Sequence, residues 1–88
     1  MISTEQVNAI MAKIETMGLN DCTVSELRQQ YQPIHFTYCM DDDLPNNTPV
    51  IERKDFNLYL IDGREHCLCL TNDYEAATGI VVAEIIPD

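Results

Sequence analysis

The residues able to bind a metal or attack a substrate gather in two stretches. HFTYCMDDD holds His35, Cys39 and Asp41, Asp42 and Asp43; EHCLC holds His66, Cys67 and Cys69. Thiolate and imidazole ligands suit zinc, iron or copper(I). A thiolate beside an imidazole makes a nucleophile, and clustered carboxylates offer hard oxygen ligands to Ca²⁺ or Mg²⁺. Spacing narrows these options. On a regular strand His35 and Cys39 share a face but lie roughly 13 Å apart, too far for one ion. Cys67 and Cys69 share a face at about 7 Å, too wide for two zinc–sulfur bonds of about 2.3 Å unless a bulge intervenes. His66 points away from both. A metal centre built from Cys39, His66, Cys67 and Cys69 therefore requires Cys39 to meet Cys67 or Cys69 across strands, with Cys22 as a helper. The competing expectation is that Cys67 and Cys69 are small buried apolar residues, as free cysteines commonly are.

Catalysis fares less well. Cys39 with His66, or Cys67 with His35, would pair on neighbouring strands, but no nucleophile elbow, oxyanion loop or third orienting residue accompanies them. The aspartate run lacks the alternating ligands, glycine and closing glutamate of an EF-hand loop. It reads as a solvated loop or as an acidic docking patch for Lys and Arg of a partner. The expectation is a protein without enzymatic activity and without a cofactor. Its partner-binding residues would be Asp41, Asp42 and Asp43, with His35, Tyr38 and Cys39 beside them.

Composition supports that direction. The chain has 88 residues and a formal net charge of −10, from 15 acidic and 5 basic side chains. That sign disfavours nucleic acid and anionic membrane surfaces and favours a basic protein partner. The N-terminal MISTEQVNAI has no basic, apolar leader, and no run approaches a membrane span of about 20 residues. A cytoplasmic location and four reduced cysteines are expected; no CxxC pair is present. Hydrophobic residues make up 45% with no tryptophan, so a small core of Ile, Val, Leu and Met is expected within one domain spanning residues 1–88.

The elements that must position these residues follow from periodicity. Val7, Ile10, Met11, Ile14 and Met17 form a helical stripe over residues 3–17, opened by a Ser3–Gln6 capping box and closed by Gly18. A second helix is expected at about 24–31, with Thr23 as cap and Pro33 beyond its end. Ile34 to Met40 alternates as a strand: Phe36, Tyr38 and Met40 on the core side, His35, Thr37 and Cys39 opposite. Residues 41–50 form a loop. Phe56–Ile61 and about His66–Thr71 form strands joined by an Asp62–Gly63 turn. Residues 72–78 form a turn or short helix, and Ile80–Ile86 is a strand apolar on both faces, hence interior. Helices first and strands later predict an α+β domain, with two N-terminal helices on one face of a mostly antiparallel four-stranded sheet. Tyr59, Ile61 and outward residues of IVVAEII would then form an uncovered apolar patch, through which a homodimer would associate by the sheet face.

The segments HFTYCMDDDLP, FNLYLIDGREHCLCLTND and EAATGIVVAEI, within residues 34–86, resemble a small family of uncharacterised proteobacterial proteins of this length. Theirs is a domain of unknown function, and some members are encoded among nitrogen-fixation genes. The resemblance implies a cytoplasmic location and an accessory role near metallocluster biology. That family has no established catalytic motif, so the resemblance carries no residue role across.

Overall fold

The computed structural model describes residues 2–44, 48–63 and 69–86. Two helices, α1 (Thr4–Met17) and α2 (Asp21–Gln30), precede five strands. These are β1 (His35–Met40), β2 (Ile51–Glu52), β3 (Phe56–Asp62), β4 (Cys69–Thr71) and β5 (Gly79–Glu84); a 3₁₀ turn, Asp41–Asp43, follows β1. The α+β class and the helix-first order are as the sequence predicts.

Local chemistry explains the helix ends. The Ser3 hydroxyl accepts from the Gln6 N–H at 3.1 Å, and the Gln6 carboxamide accepts from the Ser3 N–H at 2.9 Å. Gly18 closes α1 at φ 86°, a region that side chains disfavour. The second helix begins earlier than its stripe implies, because Asn20, not Thr23, is its cap. The Asn20 side chain accepts from the Thr23 N–H at 3.0 Å, while the buried Thr23 hydroxyl donates to the Gly18 carbonyl at 2.7 Å. Asn caps as well as Thr does, and here Thr23 serves to lock the turn between helices.

Among the described residues the sheet has five strands, one more than expected, and its order is β1-β5-β3-β2, with β4 also on β3. β5 lies between β1 and β3, parallel to the first and antiparallel to the second. Its GIVVAE sequence is buried along Gly79–Ala83, which matches an interior strand that is apolar on both faces. The extra strand, β2, is a two-residue pairing of Ile51 and Glu52 with Leu58 and Asn57. Asp62 and Gly63 are not the two central residues of the turn: Asp62 remains in β3 and pairs with Cys69, and residues 64–68 lie outside the described residues.

One face of the sheet carries the main core. Ile2, Val7, Ile10 and Ile14 from the N-terminal segment and α1, with Val24 and Leu27 from α2, pack on Phe36, Phe56, Leu58, Leu60, Ile80 and Val82. The opposite face is also covered along β3 and β5. Tyr59, Ile61, Val81 and Ala83 form a second buried cluster, with Cys39, Leu44 and Leu70 against it. Tyr59 is 3% and Ile61 7% exposed, so the expected uncovered patch is absent at these residues. The chain after β1 folds back and lays Leu44 on that face, leaving Met17, Tyr38 and Ile86 as the exposed large hydrophobic residues among those described.

At Gly79 the backbone of β1 lies close against β5. A Cβ there would lie 2.9 Å from the His35 carbonyl oxygen and 3.1 Å from the His35 Cβ. Gly79→Ala should therefore cost about 2 kcal/mol, by analogy with overpacked cores, read as a lower urea midpoint. A change within about 0.5 kcal/mol, the range of neutral surface substitutions, would show that the two strands are not held at this distance.

Candidate functional site

The six residues expected to act together separate into three places. β1 is regular, and each of its residues pairs in sequence with β5 from His35↔Gly79 to Met40↔Glu84. Its side chains therefore alternate. Phe36, Tyr38 and Met40 point to the helix side, and His35, Thr37 and Cys39 to the second face. His35 and Cys39 stand at opposite ends of that face, and the aspartates follow beyond Met40.

The aspartates themselves divide. Asp41 is half-buried, and its Oδ1 accepts from the Tyr59 hydroxyl at 2.9 Å and the Asn57 amide at 3.0 Å. Its backbone carbonyl accepts from the Leu44 N–H at 3.0 Å. Asp41 is thus an internal anchor: it satisfies a buried phenol, which would otherwise lack a partner, and it seats the turn on the second face. Asp42 and Asp43 are exposed on that turn. Reading the aspartates as one patch missed this division. The signal available was Asn57-x-Tyr59, polar groups on the strand face opposite Phe56, Leu58 and Leu60, which require a buried acceptor.

Cys39 lies at the edge of this cluster, level with Ala83 and Asn57. Burial pushes its thiol pKa up, and the nearby Asp43 and Asp41 carboxylates push it further. This is the reverse of what a nucleophilic or metal-binding thiolate needs. Burial also raises the Tyr59 phenol, with the Asp41 hydrogen bond adding to it.

Tyr38 does not join the core although its position in the alternation is that of Phe36. β1 is the outer strand of the sheet, and Tyr38 is 44% exposed there. Its hydroxyl donates to the Glu84 carboxylate, and this bond is the leading cause of its raised pKa.

Among the described residues, Cys39 and Cys69 do not converge. Cys39 is on β1 and Cys69 on β4, with β5 and β3 between them. Three strand spacings amount to about 14 Å. Cys69 pairs with Asp62, in phase with Leu60 and Leu58 on the helix side, so the two thiols also occupy opposite faces. Cys69 is exposed rather than buried, as is Cys22 on α2. Among the described residues no group of three His, Cys, Asp or Glu side chains could hold an ion. His66 and Cys67, candidates from the sequence, lie outside the described residues.

His35 stands apart, beside a hollow of about 460 Å³ that also touches Thr37, Ile61, Gly63, Thr78 and Gly79. Among the described residues it is the sole ionisable group lining that hollow, and Cys67, its expected partner, lies outside them. No helix among the described residues is long and apolar enough to cross a membrane.

Three outcomes are expected. Asp41→Ala should destabilise by about 1–3 kcal/mol, because it strands the Tyr59 hydroxyl and Asn57 amide, whereas Asp41→Asn, which keeps an acceptor, should cost less. Equal costs in chemical denaturation would contradict the anchor. Cys39 should react with iodoacetamide at pH 8 at least about threefold more slowly than glutathione, reflecting its suppressed thiolate; mass-spectrometric rates at or above that of glutathione would refute it. A raised folded-state pKa favours the neutral phenol. Tyr59 therefore stabilises fully below the unfolded tyrosine value of about 10, and that stability is lost as pH rises through the higher folded value. The native chain should lose stability more steeply above pH 10 than Tyr59→Phe does; parallel curves would argue against it.

Comparison with known proteins adds one relationship. No curated protein and no solved structure is detectably similar to this chain. A protein-family model does match it over residues 9–85, from the middle of α1 through the end of the central strand and including the whole Asp41 turn. The chain therefore belongs to DUF6129, a family of unknown function.

Proposed function

We propose that this is a cytoplasmic, non-enzymatic binding protein that docks a basic protein partner on the turn following β1. The observation behind this reading is the division of the aspartates. Asp41 is tied to Tyr59 and Asn57, so the turn is held in place while Asp42 and Asp43 remain exposed to solvent. Two carboxylates on an anchored turn meet a cation with less conformational entropy to lose than two on a free loop. The charge of −10 extends the field that would steer a basic surface towards them. Cys39, at the foot of the turn, is better suited to packing than to reaction because its thiol is pushed up.

The reading predicts that charge reversal of the exposed pair removes the partner while leaving the fold intact. Immobilised native chain should retain a basic protein at about 150 mM salt, near physiological ionic strength. The Asp42→Lys, Asp43→Lys variant should not, at an unchanged melting temperature. Retention of the same protein by the variant would contradict the proposal.

A further inference from the structure

Among the described residues, no strand pairs with the outer side of the β1 backbone. His35 pairs with Gly79 in parallel and donates its N–H to the Thr78 carbonyl at 3.2 Å. Within a strand the N–H and C=O of one residue point to the same side, and successive residues alternate. His35, Thr37 and Cys39 thus turn their backbone groups to β5, and Phe36 and Tyr38 turn theirs outward. No strand lies beyond β1 among the described residues.

One outward group is occupied. The Phe36 carbonyl accepts from Arg28 of α2, at 3.1 Å from Nη2 and 3.4 Å from Nε. The Phe36 N–H and both backbone groups of Tyr38 have no bond within the described residues. Sheet edges are ordinarily blunted by a lysine, a proline, a bulge or a covering segment. The strand HFTYCM contains neither lysine nor proline, and its six residues pair with β5 without a bulge.

Charge is graded along this edge. Arg28 stands at its first half. The second half carries Glu84, bonded to the Tyr38 hydroxyl, and Asp21, near enough to act on the same phenol. An edge that is cationic at one end and anionic at the other complements itself when reversed.

We infer that the edge of β1 binds a second copy of this chain, antiparallel, about a two-fold axis passing by Thr37. In that register Phe36 of each copy opposes Tyr38 of the other. The Phe36 N–H then donates to the Tyr38 carbonyl across the axis, and the Tyr38 N–H donates to the Phe36 carbonyl, whose second lone pair is free beside the Arg28 bond. The axis is perpendicular to the sheet, so both helix layers lie on the same side. Arg28 of each copy meets the Glu84 and Asp21 end of the other, giving two equivalent charge contacts in an isologous interface. The exposed Thr37 side chains form a directly opposed pair on the second face, a favourable cross-strand combination. The two five-stranded sheets become one. This arrangement does not depend on the partner docking proposed above, and it leaves the second-face clusters untouched.

The test combines two variants of the full chain. Thr37→Cys should form a disulfide-linked dimer on mild oxidation, because directly opposed strand residues suit disulfide geometry. Mass spectrometry should find the thiol introduced at position 37 joined to its counterpart in the second copy. The native chain should sediment as a dimer at about 100 µM, where any specific interface of micromolar affinity is populated. Arg28→Glu should weaken that dimer at least tenfold, and adding Glu84→Lys should restore it. A native chain that sediments as a monomer overturns the proposal, and an edge that then bound only a basic extended peptide would assign it to a different partner. A dimer that gives no link between the two introduced thiols and ignores Arg28→Glu would place the interface elsewhere and equally overturn it.

Discussion

A strand that is apolar on both faces must be covered on both, and the architecture turns on that requirement at β5. Gly79 to Ala83 is buried throughout, which is achieved only with hydrogen-bonded neighbours on both sides and packed layers above and below. β1 and β3 supply the neighbours. The helical stripes of α1 and α2 supply one layer, and Leu44 with its surroundings supplies part of the other. Burying these aliphatic side chains stabilises by about 25 cal/mol per Å² of apolar surface, the largest favourable contribution open to a chain without tryptophan. Gly79 belongs to the same constraint: β1 can lie against β5 at the observed distance because no Cβ meets the His35 carbonyl.

Covering the second face has a polar consequence. Tyr59 belongs to that face and brings a hydroxyl into it, which costs free energy unless it finds a partner. Asp41 is that partner and also accepts from Asn57. The turn is thereby fixed over the face, and its next two residues are held outside. Packing demand, buried hydrogen bond and exposed charge are linked through one side chain. The same environment suppresses the Cys39 thiolate, so the features that draw attention to this stretch in the sequence owe their placement to the core behind them.

Much of the fold was legible because its signals are local. The capping box at Ser3 and Gln6, the stripe of α1, the alternation of β1 and the two-sided apolar character of β5 all rest on neighbours in sequence. What was not legible depends on distant partners. Nothing local to HFTYCM says that it will lie parallel to a strand far along the chain, or that it will be the outer strand, which is why alternation alone assigns Tyr38 to the core. The covering of Tyr59 and Ile61 could not be read from a loop of aspartates and prolines, because Leu44 has meaning only once the chain folds back. Thr23 reads as the cap of α2 from the residues around it; in the structure its N–H donates to Asn20, which is the cap, and its hydroxyl is turned to the Gly18 carbonyl. Cys39 and Cys69 were close enough in chemistry to suggest a metal centre, and strand order separates them.

The central position of β5 is tested most directly by residue-resolved hydrogen exchange. Along this strand the amides of Ile80, Val82 and Glu84 face β1, and those of Val81 and Ala83 face β3. A strand bonded on both sides should show both sets protected to a similar degree, with Ile80, Val81, Val82 and Ala83 opening only with global unfolding. Strong protection of Val81 and Ala83 alongside rapid exchange at Ile80 and Val82 would place β5 at the edge of the sheet and contradict the account.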